Sequence, residues 1–330
     1  MRVFVTGGAG YVGSACLRLL LAEGHDAIAY DNLYKGHREA IPAERLVVGD
    51  LHDTVALTKA MQNHGSEAVM HFAAATDVGE SVTNPDYHFS NNIGGTLSLL
   101  RAMREAGVQR MLFSSTCATY GDNPKPPMDE TAAQIPCSPY ARTKLAVEWM
   151  IRDFAQAYGL GFTLLRYFNA AGADPDGEFG EDHDPELHLI PLVLQVPLGK
   201  RDKIYLFGDD YPTPDGTCIR DYVHTDDLAS AHLLAIAATT ARTAEVFNIG
   251  TGQGQSVKQI HAACEAVTGR RIPFEVVKRR PGDAPALVAN PDKLVTRLGW
   301  KPRYRDISSV IETAWKWHQR YPNGYQDKRR

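Results

Sequence analysis

The chain has 330 residues, a length that suits two lobes better than one small core. Lys plus Arg number 35 against 39 Asp plus Glu, a formal charge of −4, which leaves no basic footprint for nucleic acid or a membrane surface. No apolar run is long enough to span a bilayer. Met1 to Thr6 reads as a first core strand and not as a secretory signal, and the basic Lys328-Arg329-Arg330 reads as a solvated tail. Five cysteines (Cys16, Cys117, Cys137, Cys218, Cys264) lack Cys-x-x-Cys spacing, so a reducing, cytoplasmic compartment without a disulfide framework is expected.

Arg2 to Thr6 alternates toward a buried strand, and a helical pattern follows from Ser14 to Glu23. Between them, Gly7, Gly10 and Gly13 form Gly-x-x-Gly-x-x-Gly. A strand–glycine loop–helix unit lets backbone approach a pyrophosphate while the helix N-terminus presents free N–H groups to it. A second strand, Ala27 to Tyr30, ends in Asp31, which suits both hydroxyls of an adenosine ribose and repels a 2′-phosphate. That favours NAD over NADP, although Lys35 and Arg38 stand nearby.

The alternation continues. Leu46 to Val48 is a short strand ending at Asp50-Leu51, and Asp53 is placed to cap a helix reaching Asn63. Ala68 to Phe72 is a strand, with His71 expected to pack at its end. One long helix is expected from Pro85 to Ala106, then a strand from Arg110 into Ser114-Ser115-Thr116. A proline-rich loop (Pro124, Pro126, Pro127, Pro136, Pro139) leads into a helix from Tyr140 to Tyr158, and Phe162 to Tyr167 closes the series. Strands alternating with helices predict an α/β fold, a doubly wound parallel sheet with ligands at the strand ends. Those ends carry Gly7, Asp31, Asp50, Phe72, Thr116 and Asn169.

After Asn169 the texture turns to Gly, Asp and Pro, which predicts a smaller mixed α/β lobe. The expected division is 1–170 and 171–330, with the chain free to cross back. Helices are expected near 189–199, 225–238, 256–267 and 307–317, and a strand at 204–207. His183 and His188 fall in a polar loop without metal-ligand spacing, so no metal site is expected.

Tyr140 and Lys144 stand four apart on a helix, hence on one face, one turn apart. Free tyrosine has a pKa of about 10. A nearby cation stabilises phenolate, so the pair is a candidate acid–base centre. Taken alone, the same spacing also fits an ordinary helix in which Tyr packs and Lys is solvated.

The stretches Val5 to Ser14, His71 to Ala74 with Val78-Gly79-Glu80-Ser81, Asn91-Asn92, Phe113 to Thr116, Ser138-Pro139-Tyr140 with Lys144, and Leu165 to Asn169 together resemble the UDP-glucose 4-epimerase family of the extended short-chain dehydrogenase/reductase superfamily. Gly216 to His224 and Arg279-Arg280-Pro281-Gly282-Asp283 carry the likeness into the second lobe. The resemblance implies reversible epimerisation at C4 of UDP-glucose and UDP-galactose with bound NAD. It implies Tyr140 as base, Lys144 lowering its pKa and holding the nicotinamide ribose, and Thr116 on the reacting oxygen. With the glycine loop, Tyr11, Val12, Asp31, Asn32, Asp50, Leu51, Phe72, Ala73, Ala74, Asn91 and Phe168 are implied around NAD. Asn169, His188, Leu189, Tyr205, Phe207, Arg220, Arg280 and Asp283 are implied around the UDP-sugar.

The chain departs from the family in places. Thr116 stands where some members have Ser, Thr76 where some have Lys, and His188 where Asn is common. Leu287 occupies a position that gates sugar size in the family, and its intermediate bulk predicts weak or absent turnover of N-acetylated sugars. A homodimer through helices near 85–106 and 140–158 is implied as well. Cys117-Ala118-Thr119 after Thr116 carries no carboxylate, unlike the dehydratases and decarboxylases on this scaffold. A UDP-N-acetylglucosamine or UDP-xylose epimerase stays open, as does a non-catalytic NAD-binding regulator.

Overall fold

A computed structural model describes residues 1–121, 125–280 and 283–329; Pro124, Pro281, Gly282 and Arg330 lie outside the described residues. The chain runs β1 (Arg2–Thr6), α1 (Tyr11–Ala22), β2 (Asp26–Asp31), β3 (Leu46–Val48), α2 (Thr54–His64), β4 (Ala68–His71), α3 (Val78–Thr83), α4 (Pro85–Phe89), α5 (Gly95–Ala106), β5 (Arg110–Thr116), α6 (Pro139–Tyr158) and β6 (Gly161–Tyr167). It continues through β7 (Asn169–Ala171), α7 (Leu189–Leu194), β8 (Ile204–Phe207), β9 (Ile219–His224), α8 (Thr225–Ala238), β10 (Ala244–Ile249), β11 (Gly254–Ser256), α9 (Val257–Thr268), β12 (Phe274–Val277), β13 (Ala286–Leu287), α10 (Asp292–Leu298) and α11 (Ile307–Arg320).

Seven strands form one parallel sheet in the order β10-β6-β5-β4-β1-β2-β3. The central strands are apolar on both faces, as Val3, Phe4 and Val5 show, because helices cover both sides. Leu17 and Leu20 of α1 and Leu228 and Ala235 of α8 pack one face. Leu57 and Met61 of α2, Leu99 and Met103 of α5, and Val147 and Ile151 of α6 pack the other. Strand β10 returns from residue 244 to pair with β6, Ala244 opposite Phe162 and Ile249 opposite Tyr167. The smaller lobe holds β9 between β11 and β13, with β7 also paired to β9, and β8 paired to β12.

Two expected helices are corrected. The one expected over 85–106 is three pieces: α4, a π-helical turn at Ser90–Gly94, and α5. The wider turn delivers Asn92 sideways. Its Oδ1 accepts from Ala75 N at 2.7 Å, and its Nδ2 donates to Ala75 O at 3.0 Å and to Thr143 Oγ1 at 2.9 Å. Loop, broken helix and α6 are thus pinned beside Lys144. The helix expected over 189–199 ends at Leu194.

Helix α6 is capped by Ser138, whose side chain accepts from Ala141 N, with Pro139 in the first turn. It is held on the sheet by a buried ion pair. Glu148 accepts from Arg166 Nε at 2.9 Å and Nη2 at 2.6 Å, and from Ser115 Oγ at 2.6 Å. The two charged side chains are 1 % and 3 % exposed. Arg166 Nη1 also donates to the Tyr120 hydroxyl, which donates to Asn248 Oδ1 of β10 at 2.7 Å. Because both charges are desolvated, removing one strands the other. Arg166→Leu is expected to lower stability by about 3–5 kcal/mol in urea unfolding; a loss below about 1 kcal/mol would mean that Glu148 finds other compensation.

Candidate active site

The loop after β1 turns under steric constraint. Gly7 has φ +71°, and a Cβ there would meet Ala73 N at 2.5 Å. A Cβ at Gly13 would meet Gly7 O at 2.1 Å. These glycines let β1, α1 and the strand end at Phe72-Ala73 close together. At Gly10, by contrast, a Cβ would meet Gly7 O at 3.3 Å and otherwise open space. Gly10 starts α1 with no side-chain cap, so the N–H groups at Tyr11, Val12 and Gly13 face that open side. An uncapped helix start beside an open glycine face fits a pyrophosphate.

At the end of β2 the buried Asp31 accepts from Ala9 N at 3.0 Å and Leu33 N at 2.8 Å. Burial pushes its carboxyl up, and the two backbone donors oppose that. Asn32 Nδ2 donates to Asp50 Oδ2 at 2.9 Å, so the ends of β2 and β3 form one polar rim. Leu51 is buried behind it against Gly95. Lys35 is drawn to Asp184 O in the loop from the second lobe, and not toward Asp31. His71 does pack at its strand end, bridging Thr6 Oγ1 at 2.7 Å and Thr96 Oγ1 at 2.9 Å. Burial, aided by Lys144, holds its ring neutral with a pKa lowered to about 3.

Tyr140 reaches Thr116 where α6 crosses the end of β5, and Lys144 lies one turn further along α6. Lys144 is buried, its Nζ 4.5 Å from the centroid of Phe113. Desolvation lowers its pKa to about 7, and Glu148, one turn further along α6, opposes that by favouring the ammonium. The Tyr140 phenol is raised to about 12, first by desolvation; a hydrogen bond from Thr116 works the other way. In the protein alone burial dominates the Tyr140 phenol, and the expected lowering by Lys144 does not offset it. The strand end is further braced by Ser114 Oγ on the Tyr167 hydroxyl and by Thr119 Oγ1 on Thr116 O at 3.0 Å.

The second lobe brings its residues toward the same strand ends. Asn169 of β7 lies opposite Tyr222 of β9. Arg220 of β9 lies opposite Leu287 of β13. The Arg220 guanidinium is fixed by Ile219 O at 2.9 Å, Ala284 O at 2.8 Å and Asp283 Oδ1 at 3.4 Å. Arg280 lies 3.8 Å over the ring of Phe207, which stays partly exposed with Tyr205 on the edge of β8. Leu287 packs with Cys117 and Phe168, directly behind Thr116. Leu189 opens α7, and Asn91 sits in the π turn, its Nδ2 on Asn92 Oδ1 at 3.1 Å.

The half-exposed His188 ring lies against carboxylates, Nδ1 standing 2.7 Å from Glu181 Oε1 and 3.1 Å from Glu186 Oε1. His183 joins them in a loop that folds back on itself: ligand atoms of Glu181, His183, Glu186 and His188 lie within 4.8 Å of one another, although their spacing in sequence is not that of a metal site. Asn92, Glu148 and Asp221 are further polar residues that the sequence leaves without a role. Asp221 accepts from Thr251 N and Oγ1, Gly252 N and Ala289 N. Each is visible in the sequence only as part of a matched stretch, or as an acid four residues after Lys144.

The chain matches the model of the NAD dependent epimerase/dehydratase family over residues 3–250. It is 48% identical over 326 residues to the UDP-glucose 4-epimerase of Halalkalibacterium halodurans, covering 98% of each chain. A crystal structure of a UDP-glucose 4-epimerase superposes with a TM-score of 0.95 at 46% identity, covering 98% of this chain and 99% of that one. The UDP-glucose 4-epimerase of Brucella ovis, solved in complex with NAD, superposes with a TM-score of 0.91 at 47% identity, covering 95% and 97%. With strand order, glycine loop and full-length likeness in agreement, the chain belongs to the NAD dependent epimerase/dehydratase family.

Proposed function

We propose that this chain interconverts UDP-glucose and UDP-galactose by epimerisation at C4 through a 4-keto sugar. The observation that carries the reading is Tyr140 against Thr116 at the end of β5, with the buried Lys144 one turn along the same helix, beside an open glycine loop and together with a lobe that supplies Arg220 and Arg280. NAD, held by the glycine loop and Asp31, would supply a reversible hydride acceptor for C4. The protein's part is orientation and proton transfer. Tyr140 takes the proton of the 4-hydroxyl as the carbonyl forms and gives it back as the hydride returns. The Thr116 hydroxyl favours the ionised phenol and orients the reacting oxygen. A phenol held at about 12 is protonated at neutral pH, so its proton affinity must fall when the nicotinamide cation lies beside it. Glu148 helps Lys144 keep its charge for that environment.

Gly7, Gly10 and Gly13 with Tyr11, Val12, Asp31, Asn32, Asp50, Leu51, Phe72, Ala73, Ala74, Asn91 and Phe168 surround the cofactor in this reading. Asn169, Leu189, Tyr205, Phe207, Arg220, Arg280 and Asp283 surround the nucleotide sugar. A guanidinium fork suits its pyrophosphate. Residues 1–170 form the cofactor domain and 171–330 the sugar domain, with β10 returning to the large sheet. A cytoplasmic setting agrees with buried Cys16, Cys117, Cys218 and Cys264 as thiols. A homodimer through the helices near 85–106 and 140–158 agrees with large apolar side chains exposed on them, Phe89 at 41% and Trp149 at 59%.

Incubation with UDP-galactose alone, without added reductant, is expected to yield UDP-glucose, and Tyr140→Phe to lose roughly 10²–10⁴-fold in turnover. NAD retained without any interconversion would favour a regulator, and an active Tyr140→Phe would name another base. Across a substrate panel, UDP-glucose and UDP-galactose are expected to turn over well and the N-acetylated sugars weakly, with Leu287 as the limit; equal rates on UDP-N-acetylglucosamine would contradict that assignment. Size-exclusion chromatography is expected to show a dimer that Trp149→Asp weakens, and a stable wild-type monomer would remove the proposed interface.

A further inference from the structure

The loop from Gly172 to His188 joins the end of β7 to the start of α7. Within eight residues it carries Glu181, His183, Glu186 and His188. The Glu181 and Glu186 side chains are 4 % and 8 % exposed, so two carboxylates are desolvated side by side. Such a pair needs positive charge in contact. The donors that converge on it are Nδ1 atoms. His183 Nδ1 lies 3.3 Å from Glu181 Oε1 and 3.7 Å from Glu186 Oε2. His188 Nδ1 lies 2.7 Å from Glu181 Oε1 and 3.1 Å from Glu186 Oε1.

His188 Nδ1 and Glu186 Oε1 form a hydrogen bond at 3.1 Å, and that oxygen also accepts from Leu187 N and His188 N at 2.8 Å each, but the other two members are left over. Glu181 Oε1 and His183 Nδ1 are both buried, and neither completes a hydrogen bond of acceptable geometry among the described residues. The four ligand atoms nevertheless lie within 4.8 Å of one another. In a tetrahedral ion with bonds of about 2.0–2.1 Å, neighbouring ligand atoms stand about 3.3 Å apart. The three separations that share one ligand atom per residue, 3.3, 2.7 and 3.1 Å, lie near or below that edge length. Two carboxylates balance a divalent charge while the imidazoles stay neutral. Two nitrogens and two oxygens in a tetrahedral set suit zinc better than magnesium or calcium, which prefer more oxygen ligands. His188 is 51 % exposed and leaves a way in.

The surrounding contacts hold the ligands from both lobes. Trp317 Nε1 of α11 donates to Glu181 O at 3.0 Å, and Tyr325 N to Asp182 Oδ2 at 2.9 Å. The Tyr11 ring stands edge-on to His183, with centroids 6.1 Å apart, and its hydroxyl donates to Gly172 O at 2.5 Å. We propose that Glu181, His183, Glu186 and His188 bind one divalent transition-metal ion, zinc by its donor set, which cross-links this loop to itself where it enters α7. The role is structural: the ion would lie beside the cofactor and sugar sites without touching the reacting atoms.

The test uses full-length protein made without a histidine tag, stripped by a chelator and dialysed. Titration with Co²⁺ is expected to saturate at one ion per chain, with the intense visible absorption of a tetrahedral site that added zinc abolishes. Zinc is expected to raise the thermal midpoint of the stripped protein. His183→Gln and Glu181→Gln, each checked for native circular dichroism, are expected to lose the tetrahedral band. Absence of saturable cobalt binding by the wild type overturns the proposal whether or not the variants fold. So does a weak octahedral spectrum at saturation, or a band unchanged in folded variants.

Discussion

The buried contact between Glu148 and Arg166 is the constraint on which the candidate site depends. It joins α6 to β6 and draws in Ser115 from β5, so the helix that carries Tyr140 cannot slide relative to the strand end that carries Thr116. Its extension through Tyr120 and Asn248 reaches β10, the strand returned by the second part of the chain. One ion pair therefore sets the register of three strands and one helix around the reacting position. The same carboxylate is the group that favours the charged form of Lys144 in a setting where burial favours the neutral one. Stability and electrostatics are linked through a single side chain.

Burial decides the starting state of the centre. A phenol and an ammonium one turn apart look like a ready acid–base pair, yet both are driven toward their neutral forms when water is excluded. A site built this way is quiet until a cation and a polar substrate enter. That suits a reaction whose oxidised intermediate must neither escape nor be reduced at random. The sugar lobe adds grip at a distance from the chemistry, with Arg220 held by two backbone carbonyls and Arg280 stacked on Phe207.

Much of this is legible in the sequence because it is local. Gly7 and Gly13 announce a turn that tolerates no Cβ and Gly10 an open helix start, Asp31 falls at a strand end, and Tyr140 and Lys144 share a helix face by spacing alone. The alternation of strands and helices predicts the doubly wound sheet. What is not legible depends on partners far along the chain. No local signal marks the π turn at Ser90–Gly94, whose purpose emerges only when Asn92 meets Ala75 and Thr143. The place of β10 at the edge of the sheet is a pairing between residues about eighty positions apart. The four-ligand cluster lacks any recognisable spacing because a loop, and not a helix, brings its members together. The pKa of Tyr140 is equally hidden, since it follows from how much water the finished fold excludes.

The central claim is that one hydride leaves C4 and returns to it inside a single closed site, with Tyr140 handling only the hydroxyl proton. UDP-galactose carrying deuterium at C4, incubated with the protein and no added cofactor, tests this most directly. Transfer within the site predicts UDP-glucose that keeps its deuterium at C4, as read by NMR or mass spectrometry. Loss of the label to solvent would mean that a proton, and not a hydride, leaves the carbon. That result would contradict both Tyr140 as the base for the hydroxyl proton and NAD as the hydride acceptor.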